Sequence, residues 1–294
     1  MMAYVRTRIN LLGTWIDDVD LEEAGRRIEA FILEGTPRQV VPANLDFLRL
    51  CHHDKGFRKL INQASLVVPD GMPLLWASRV LGHSLRQRIA GVDLMLECAR
   101  LAAERSYRIY LLGAEPGVAD RTASILREAF PGLSIVGTAA PSRLPLSATD
   151  EKMTLALIKS YRPDILFVAF GAPLQEQWIQ NHIQDLDVPV CCGVGGAFDM
   201  ISGRVSRAPG WMQQRGMEWF YRFLLEPRRL WKRYFVHDLP VFLRLLARSA
   251  LSDTSRHLST SVVCGPESRV PHDLEERLVS SSLEAEASLI ELHG

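Results

Sequence analysis

Short runs of β-branched and other apolar residues alternate along most of this chain with longer stretches whose apolar positions recur every three or four residues. The runs at 39–42, 65–69, 107–112, 133–137, 164–170 and 188–193 predict strands. The stretches near 20–33, 45–62, 72–81, 92–105, 117–129, 150–161 and 174–184 predict helices. Strand and helix taking turns in this way argues for parallel strands joined by crossover helices. Asp17, Asp18 and Asp20 precede the first helix and Pro173 opens the last, as helix starts favour. Loops containing Gly113, Pro116, Gly117, Gly171 and Gly193 follow the strands, and in such sheets ligands collect at the carboxyl ends.

Past Gly203 the pattern changes. Trp211, Met212, Met217, Trp219, Phe220, Phe223, Leu224, Leu230, Trp231, Tyr234 and Phe235 recur at helical spacing, with Arg215, Arg222, Arg228, Arg229, Lys232 and Arg233 interleaved. Pro227 and Pro240 are expected to divide this segment into two or three helices. From about Ser249 the chain is Ser-rich, acidic and poor in aromatics, which predicts a largely disordered tail with a weak helix near 282–292. The expected fold class is α/β, a Rossmann-like parallel sheet with crossover helices, plus a C-terminal basic amphipathic helical appendage. Residues 1–203 form the core, 204–248 the appendage and 249–294 the tail.

With 294 residues, 47% of them hydrophobic, the chain can build one large α/β domain or two small ones. Its formal net charge of zero conceals a sharp asymmetry: about −2 over residues 1–203, +7 over 204–248 and −5 over 249–294. A positive block of that density is a footprint for lipid headgroups, a diphosphate or nucleic acid. Trp211, Trp219 and Trp231 suit a membrane interface and tilt the reading from nucleic acid towards lipid. The five cysteines are odd in number and contain no Cys-x-x-Cys pair, so neither a disulfide framework nor a zinc site is indicated and a reducing cytoplasm fits. The N-terminus lacks a signal-peptide run and no stretch of about 18 apolar residues exists. Membrane contact is therefore expected to be peripheral, from the cytoplasmic side.

Several residues at strand exits carry candidate chemistry. Asp70, before Gly71-Met72-Pro73, is placed either as a general base facing the crevice or as a helix N-cap. Asn44 and Asp46 could hydrogen-bond a sugar hydroxyl, orient Asp70 or cap the helix from Leu45. Glycine turns at Gly113, Gly171, Gly193 and Gly195 offer backbone N–H groups to a phosphate. The Gly113–Gly117 turn lacks the spacing of a dinucleotide fingerprint. Asp18-Val19-Asp20 and Asp185-Leu186-Asp187 match an Asp-x-Asp metal pattern formally, but their positions read as capping and turn residues. No cofactor and no divalent metal are expected.

Taken in order, the chain resembles the WecG/TagA/CpsF family, glycosyltransferase family 26, over roughly residues 8–240. The resemblance rests on Asn44–Phe47, Pro69–Pro73, Arg88–Asp93, Tyr110–Gly117, Gly171–Glu176, Gly193–Asp199, Arg207–Trp211, Glu218–Arg222 and Trp231–Tyr234. It implies an inverting enzyme that moves a sugar from a UDP-sugar to a polyprenyl-diphosphate-linked saccharide in bacterial cell-surface polysaccharide synthesis, such as exopolysaccharide, teichoic acid or antigen. It further implies an appendage that docks at the inner face of the cytoplasmic membrane and completes the site. Carried over residue by residue, Asp70 matches the catalytic base, Asn44 and Arg88 pocket residues, and Gln175 a donor-side glutamine. Arg222, Arg229 and Arg233 match arginines near the leaving diphosphate. Gly113, Gly171, Pro173, Gln175, Gly193, Gly195 and Asp199 make up the candidate donor-binding set. Pro42 stands where many members carry threonine, which removes a hydroxyl from the rim.

The expected chemistry is direct displacement, with Asp70 taking the proton of an acceptor hydroxyl as UDP departs. A non-catalytic nucleotide-sugar-binding regulatory or scaffold protein of the same fold is the alternative. A dinucleotide-dependent oxidoreductase is disfavoured by the missing fingerprint. No nucleic-acid partner is expected, and a homo-oligomer is left open.

Overall fold

The computed structural model of the protein describes residues 4–141, 143–249 and 258–263. The chain opens with an antiparallel hairpin, β1 (Tyr4–Leu11) and β2 (Thr14–Asp17). Leu12 and Gly13 form its turn, both at positive φ, a geometry that matches the twist of a tight hairpin. There follow α1 (Leu21–Glu34), β3 (Arg38–Ala43), α2 (Leu45–His53), α3 (Lys55–Gln63), β4 (Leu66–Pro69), α4 (Met72–Val80) and α5 (Gly91–Arg105). Next come β5 (Arg108–Gly113), α6 (Val118–Ala129), β6 (Ser134–Ala139), α7 (Ala148–Tyr161), β7 (Ile165–Ala169), α8 (Leu174–Leu186), β8 (Val190–Gly193) and α9 (Ala197–Ile201).

The six strands from β3 to β8 pair in parallel in the order β4-β3-β8-β7-β5-β6, the α/β architecture expected from the sequence. Every residue of β4, β7 and β8 is buried, as a parallel sheet covered on both faces demands. One face packs Val40, Val68, Leu111 and Phe167 against α1, α5, α6 and α9. On the other face Val41 and Val67 meet α2, α3 and α4, while Leu112, Leu166 and Val168 meet α7 and α8. The helix expected over 45–62 is two helices, because the Asp54 carboxylate accepts the Gly56 and Phe57 N–H groups and starts α3 afresh. Both Asp-x-Asp pairs hold local structure: Asp20 caps α1, Asp18 accepts from the Arg86 backbone N–H, and Asp187 ends α8 in the left-handed region.

Beyond the sheet, α10 (Gly210–Gln214), α11 (Glu218–Leu225), α12 (Pro227–Trp231), a π-helical segment (Lys232–Asp238) and α13 (Leu239–Ser249) make up the appendage. Pro227 opens α12, where a missing N–H is tolerated. Pro240, expected to divide the segment, does not. The turns before it widen to π geometry and run on into α13, which accommodates the absent donor without a break. Val241 and Leu245 of α13 bury in the same apolar cluster as Phe47, Leu74 and Leu81 of the core. Trp211, Trp219, Phe220, Leu224 and Trp231 stay exposed. Among the described residues no helix is long and apolar enough to cross a membrane.

The tail departs from its expected disorder over one stretch. Leu258–Val263 forms β9, antiparallel to β1, giving a second sheet ordered β2-β1-β9. The alternation Leu258, Thr260, Val262 suits an open strand edge. The helix expected near 282–292 lies outside the described residues.

Asp17 joins the two sheets. Its buried carboxylate receives Arg6 at 2.6 and 2.9 Å, Arg27 at 3.3 Å and the Val67 N–H of β4 at 2.8 Å. Asp17→Ala strips two interior cations of this counter-charge and Val67 of its acceptor. A destabilisation of about 3–5 kcal/mol is expected in urea denaturation, and a loss under about 1 kcal/mol would show that the node is dispensable.

Candidate functional site

Five adjacent strands deliver the sequence-predicted residues to one rim: Asp70 after β4, Asn44 after β3, Gly195 after β8, Gly171 after β7 and Gly113 closing β5. Two hydrogen bonds stitch the β4 end together, from the Asp70 N–H to the Ala43 carbonyl (2.7 Å) and from the Ile89 N–H to the Pro69 carbonyl (2.8 Å). Gly71, with φ 128°, takes the N-cap position of α4, and no side chain caps that helix. The Asp70 carboxylate is therefore not spent on capping. The residue is half-buried at the end of β4, so part of its surface stays open to solvent. That burial raises its pKa to about 6, helped by Glu218 and Asp93 and opposed by Arg88 and Arg222.

Asn44 is the N-cap of α2: its Oδ1 accepts from the Asp46 and Phe47 N–H groups at 3.0 and 3.3 Å. Its amide Nδ2 remains to donate at the rim. Asp46 does not orient Asp70. It pairs with Arg49 at 2.7 Å, which also approaches Asp238 of the appendage.

Arg88 lies in a ring of four charges. It meets Glu218 at 2.9 Å and Asp93 at 3.6 Å, and Arg207 meets the same two carboxylates at 3.3 and 2.5 Å. Glu218 and Arg222 both come from α11, so the appendage supplies half of the charges around Asp70. The Arg222 guanidinium also lies 3.6 Å from where a Cβ on Gly196 would stand, at the turn after β8. Arg229 and Arg233 sit on α12 and the π-helical segment, and their side chains lie outside the described ones.

The donor-side turns are arranged differently from the sequence expectation. Gln175 is buried, and its Oε1 accepts the N–H groups of both Gly171 (3.0 Å) and Gly195 (3.1 Å). Two backbone donors expected to face a phosphate are thus committed to the protein itself, and Gln175 clamps one turn to the other. Its Nε2 donates to Glu176 Oε1 at 2.6 Å. Gly193 lacks a side chain because a Cβ there would stand 2.7 Å from both of those atoms. Gly113 likewise lets β5 approach the Ala169 carbonyl, which a Cβ would meet at 2.7 Å. Pro173 is the N-cap residue of α8, and Asp199 pairs with Arg204 at 3.6 Å, which reaches on to Glu115 at 3.1 Å. A shallow hollow between Ala139, Arg143 and α7 lies at the far edge of the sheet and has no part in this rim.

Sequence reasoning missed Asp93, Arg207 and Glu218 as a unit, although each stands in a segment that carried the resemblance. It also missed Glu176, whose fully buried carboxyl is pushed up to about 7 by burial, against the Gln175 amide that lowers it. Among the described residues no group of three or more His, Cys, Asp or Glu is placed to hold a metal ion.

A rim of this kind, a raised-pKa carboxylate among arginines at the ends of parallel strands, is suited to group transfer between polar, anionic substrates. The profile of the glycosyl transferase WecG/TagA/CpsF family matches residues 9–256, and the chain belongs to that family. It is similar to the N-acetylglucosaminyldiphosphoundecaprenol N-acetyl-beta-D-mannosaminyltransferase of Staphylococcus aureus strain NCTC 8325. The two are 29% identical over 244 residues, covering 82% of this chain and 93% of the relative. The proteins of the same description from strains COL and MRSA252 match to the same extent.

Asp70→Asn tests the electrostatics without any substrate. Because the folded-state pKa lies above the ordinary carboxylate value, the native protein favours the protonated form, and stability is lost as pH rises towards and through about 6. Asparagine removes that penalty. The variant is expected to melt a few degrees above wild type at pH 8 and to converge with it by about pH 4. Equal melting temperatures at both pH values would contradict the raised pKa.

Proposed function

We propose that the protein is an inverting, UDP-sugar-dependent hexosyltransferase acting on a polyprenyl-diphosphate-linked saccharide at the inner face of the cytoplasmic membrane. The observation that carries this reading is the Asp70 carboxylate: uncapped, raised to about 6 and set between arginines at the shared strand rim. At neutral pH such a group is mostly ionised yet basic enough to accept a hydroxyl proton. The acceptor oxygen then attacks the anomeric carbon from the face opposite UDP, the bond to the diphosphate oxygen breaks, and configuration inverts. Negative charge develops on the departing diphosphate, where Arg222, with Arg229 and Arg233 further along the appendage, would stabilise it. Asn44 Nδ2 would donate to a sugar hydroxyl, its Oδ1 being taken by the α2 cap. No divalent metal takes part in this scheme.

The relatives' description makes N-acetylglucosaminyl-diphosphoundecaprenol the first acceptor to try and N-acetylmannosamine the first sugar. The test is a panel of UDP-sugars with a short-chain polyprenyl-diphosphate N-acetylglucosamine, with and without EDTA. One donor is expected to be used, unaffected by EDTA, and Asp70→Asn should lower turnover by about 10²–10⁴-fold while retaining the native circular dichroism spectrum. Near-normal turnover by the variant would exclude Asp70 as the base.

Membrane docking is supported by the exposed aromatics of α11 and the positive charge of the appendage. Trp219→Ser with Phe220→Ser is expected to abolish co-sedimentation with vesicles containing anionic phospholipid while leaving the melting temperature near wild type. Unchanged vesicle binding would remove α11 from the docking face.

A further inference from the structure

Asp70 poses a local puzzle. Arg88 and Arg222 are both near enough to lower its pKa, yet among the described residues Asp70 forms no ion pair. The Arg88 guanidinium is engaged elsewhere, with Glu218 at 2.9 Å and Asp93 at 3.6 Å, and Arg207 closes the ring behind them. The four side chains alternate in sign, cancel in net charge and are each only 12–25% exposed, so solvent screens them incompletely. Arg88 and Asp93 belong to the core, whereas Arg207 and Glu218 lie past Gly203.

We propose that Glu218 is a positioning residue: from the appendage helix α11 it holds Arg88 inside the four-charge ring and so keeps that guanidinium from closing onto Asp70. The assignment rests on Asp70 being the base of the proposed transfer. It gives α11 a task distinct from meeting lipid. With α11 docked, Asp70 is an unpaired carboxylate able to take a proton. With Glu218 withdrawn, Arg88 keeps only its longer contact to Asp93 and turns to Asp70, forming an ion pair that makes a poorer base. The charged groups facing Asp70 are Arg88 from the loop before α5, Asp93 from α5, and Glu218 and Arg222 from α11.

A double-mutant cycle on the full-length protein separates this from a simple loss of charge. The readout is the titration midpoint of Asp70, followed by carbon-detected NMR of its carboxyl group in wild type, Glu218→Gln, Arg88→Gln and the double variant. Glu218→Gln should lower the midpoint by about one pH unit or more. Arg88→Gln should raise it further in the Glu218→Gln background than in wild type, because only there does Arg88 touch Asp70. Additive shifts would overturn the proposal, since they would mean that Arg88 does not move.

If Glu218→Gln fails to give the native near-ultraviolet spectrum, the same cycle is run with Glu218→Asp. Its shorter arm withdraws the carboxylate from Arg88 while keeping the charge, and additivity there is equally fatal. None of these measurements needs a substrate, so their outcome is independent of whether the transfer reaction is the right one. In the transfer assay, Glu218→Gln should lower kcat at nearly constant KM and move the acidic limb of the pH profile downward. A fall in kcat with an unmoved limb would reduce Glu218 to a structural role.

Discussion

A carboxylate crowded by protein has three ways to persist: it can be neutral, be paired, or be balanced by charges held at a distance. Asp70 takes the third course. Its backbone is fixed by the β3–β4 stitching, its helix is capped by a glycine instead, and Arg88 is tied to other carboxylates. Each of these arrangements needs a different part of the chain, from β3 to α11. The placement of the appendage against the core thus belongs to the chemistry of the rim as much as to its stability.

The part of the same rim formed by the β7 and β8 turns follows a quieter rule. Gln175 spends its carbonyl on two glycine N–H groups and its amide on Glu176, so the turns after β7 and β8 are held by one buried side chain. Their glycines then serve two purposes: Gly171 and Gly195 adopt positive φ and donate to that oxygen, and Gly193 makes room for the clamp. This part of the rim is thus a pre-shaped wall with its amides already engaged, more than a row of open donors.

Much of this was legible beforehand. The six parallel strands announced themselves because strands buried on both faces read as unbroken apolar runs such as Leu66-Val67-Val68. Asp70 was found because it ends such a run. The first hairpin was not, since β1 interleaves Arg6, Arg8 and Asn10 with Thr7, Ile9 and Leu11, which dilutes its apolar signal. β9 is encoded more weakly still, in serines and threonines that pair only because an edge is there to receive them. The ionic ring was beyond reach: Arg88 and Glu218 are 130 residues apart, and nothing local in either segment specifies the other. Gln175 could be flagged from its neighbours, but only packing reveals which groups its oxygen accepts.

The pairing of β9 with β1 changes the topological status of the appendage. Residues 204–249 leave the sheet at β8 and the chain later returns to zip onto the first strand, so the amphipathic helices form a closed loop tethered at both ends. A tethered segment that lifts off explores a small volume and finds its seat again at high effective concentration, with a closure entropy that grows only slowly with loop length. The helices are therefore held close to their seat on the core, as a buckled strap can slacken without falling away.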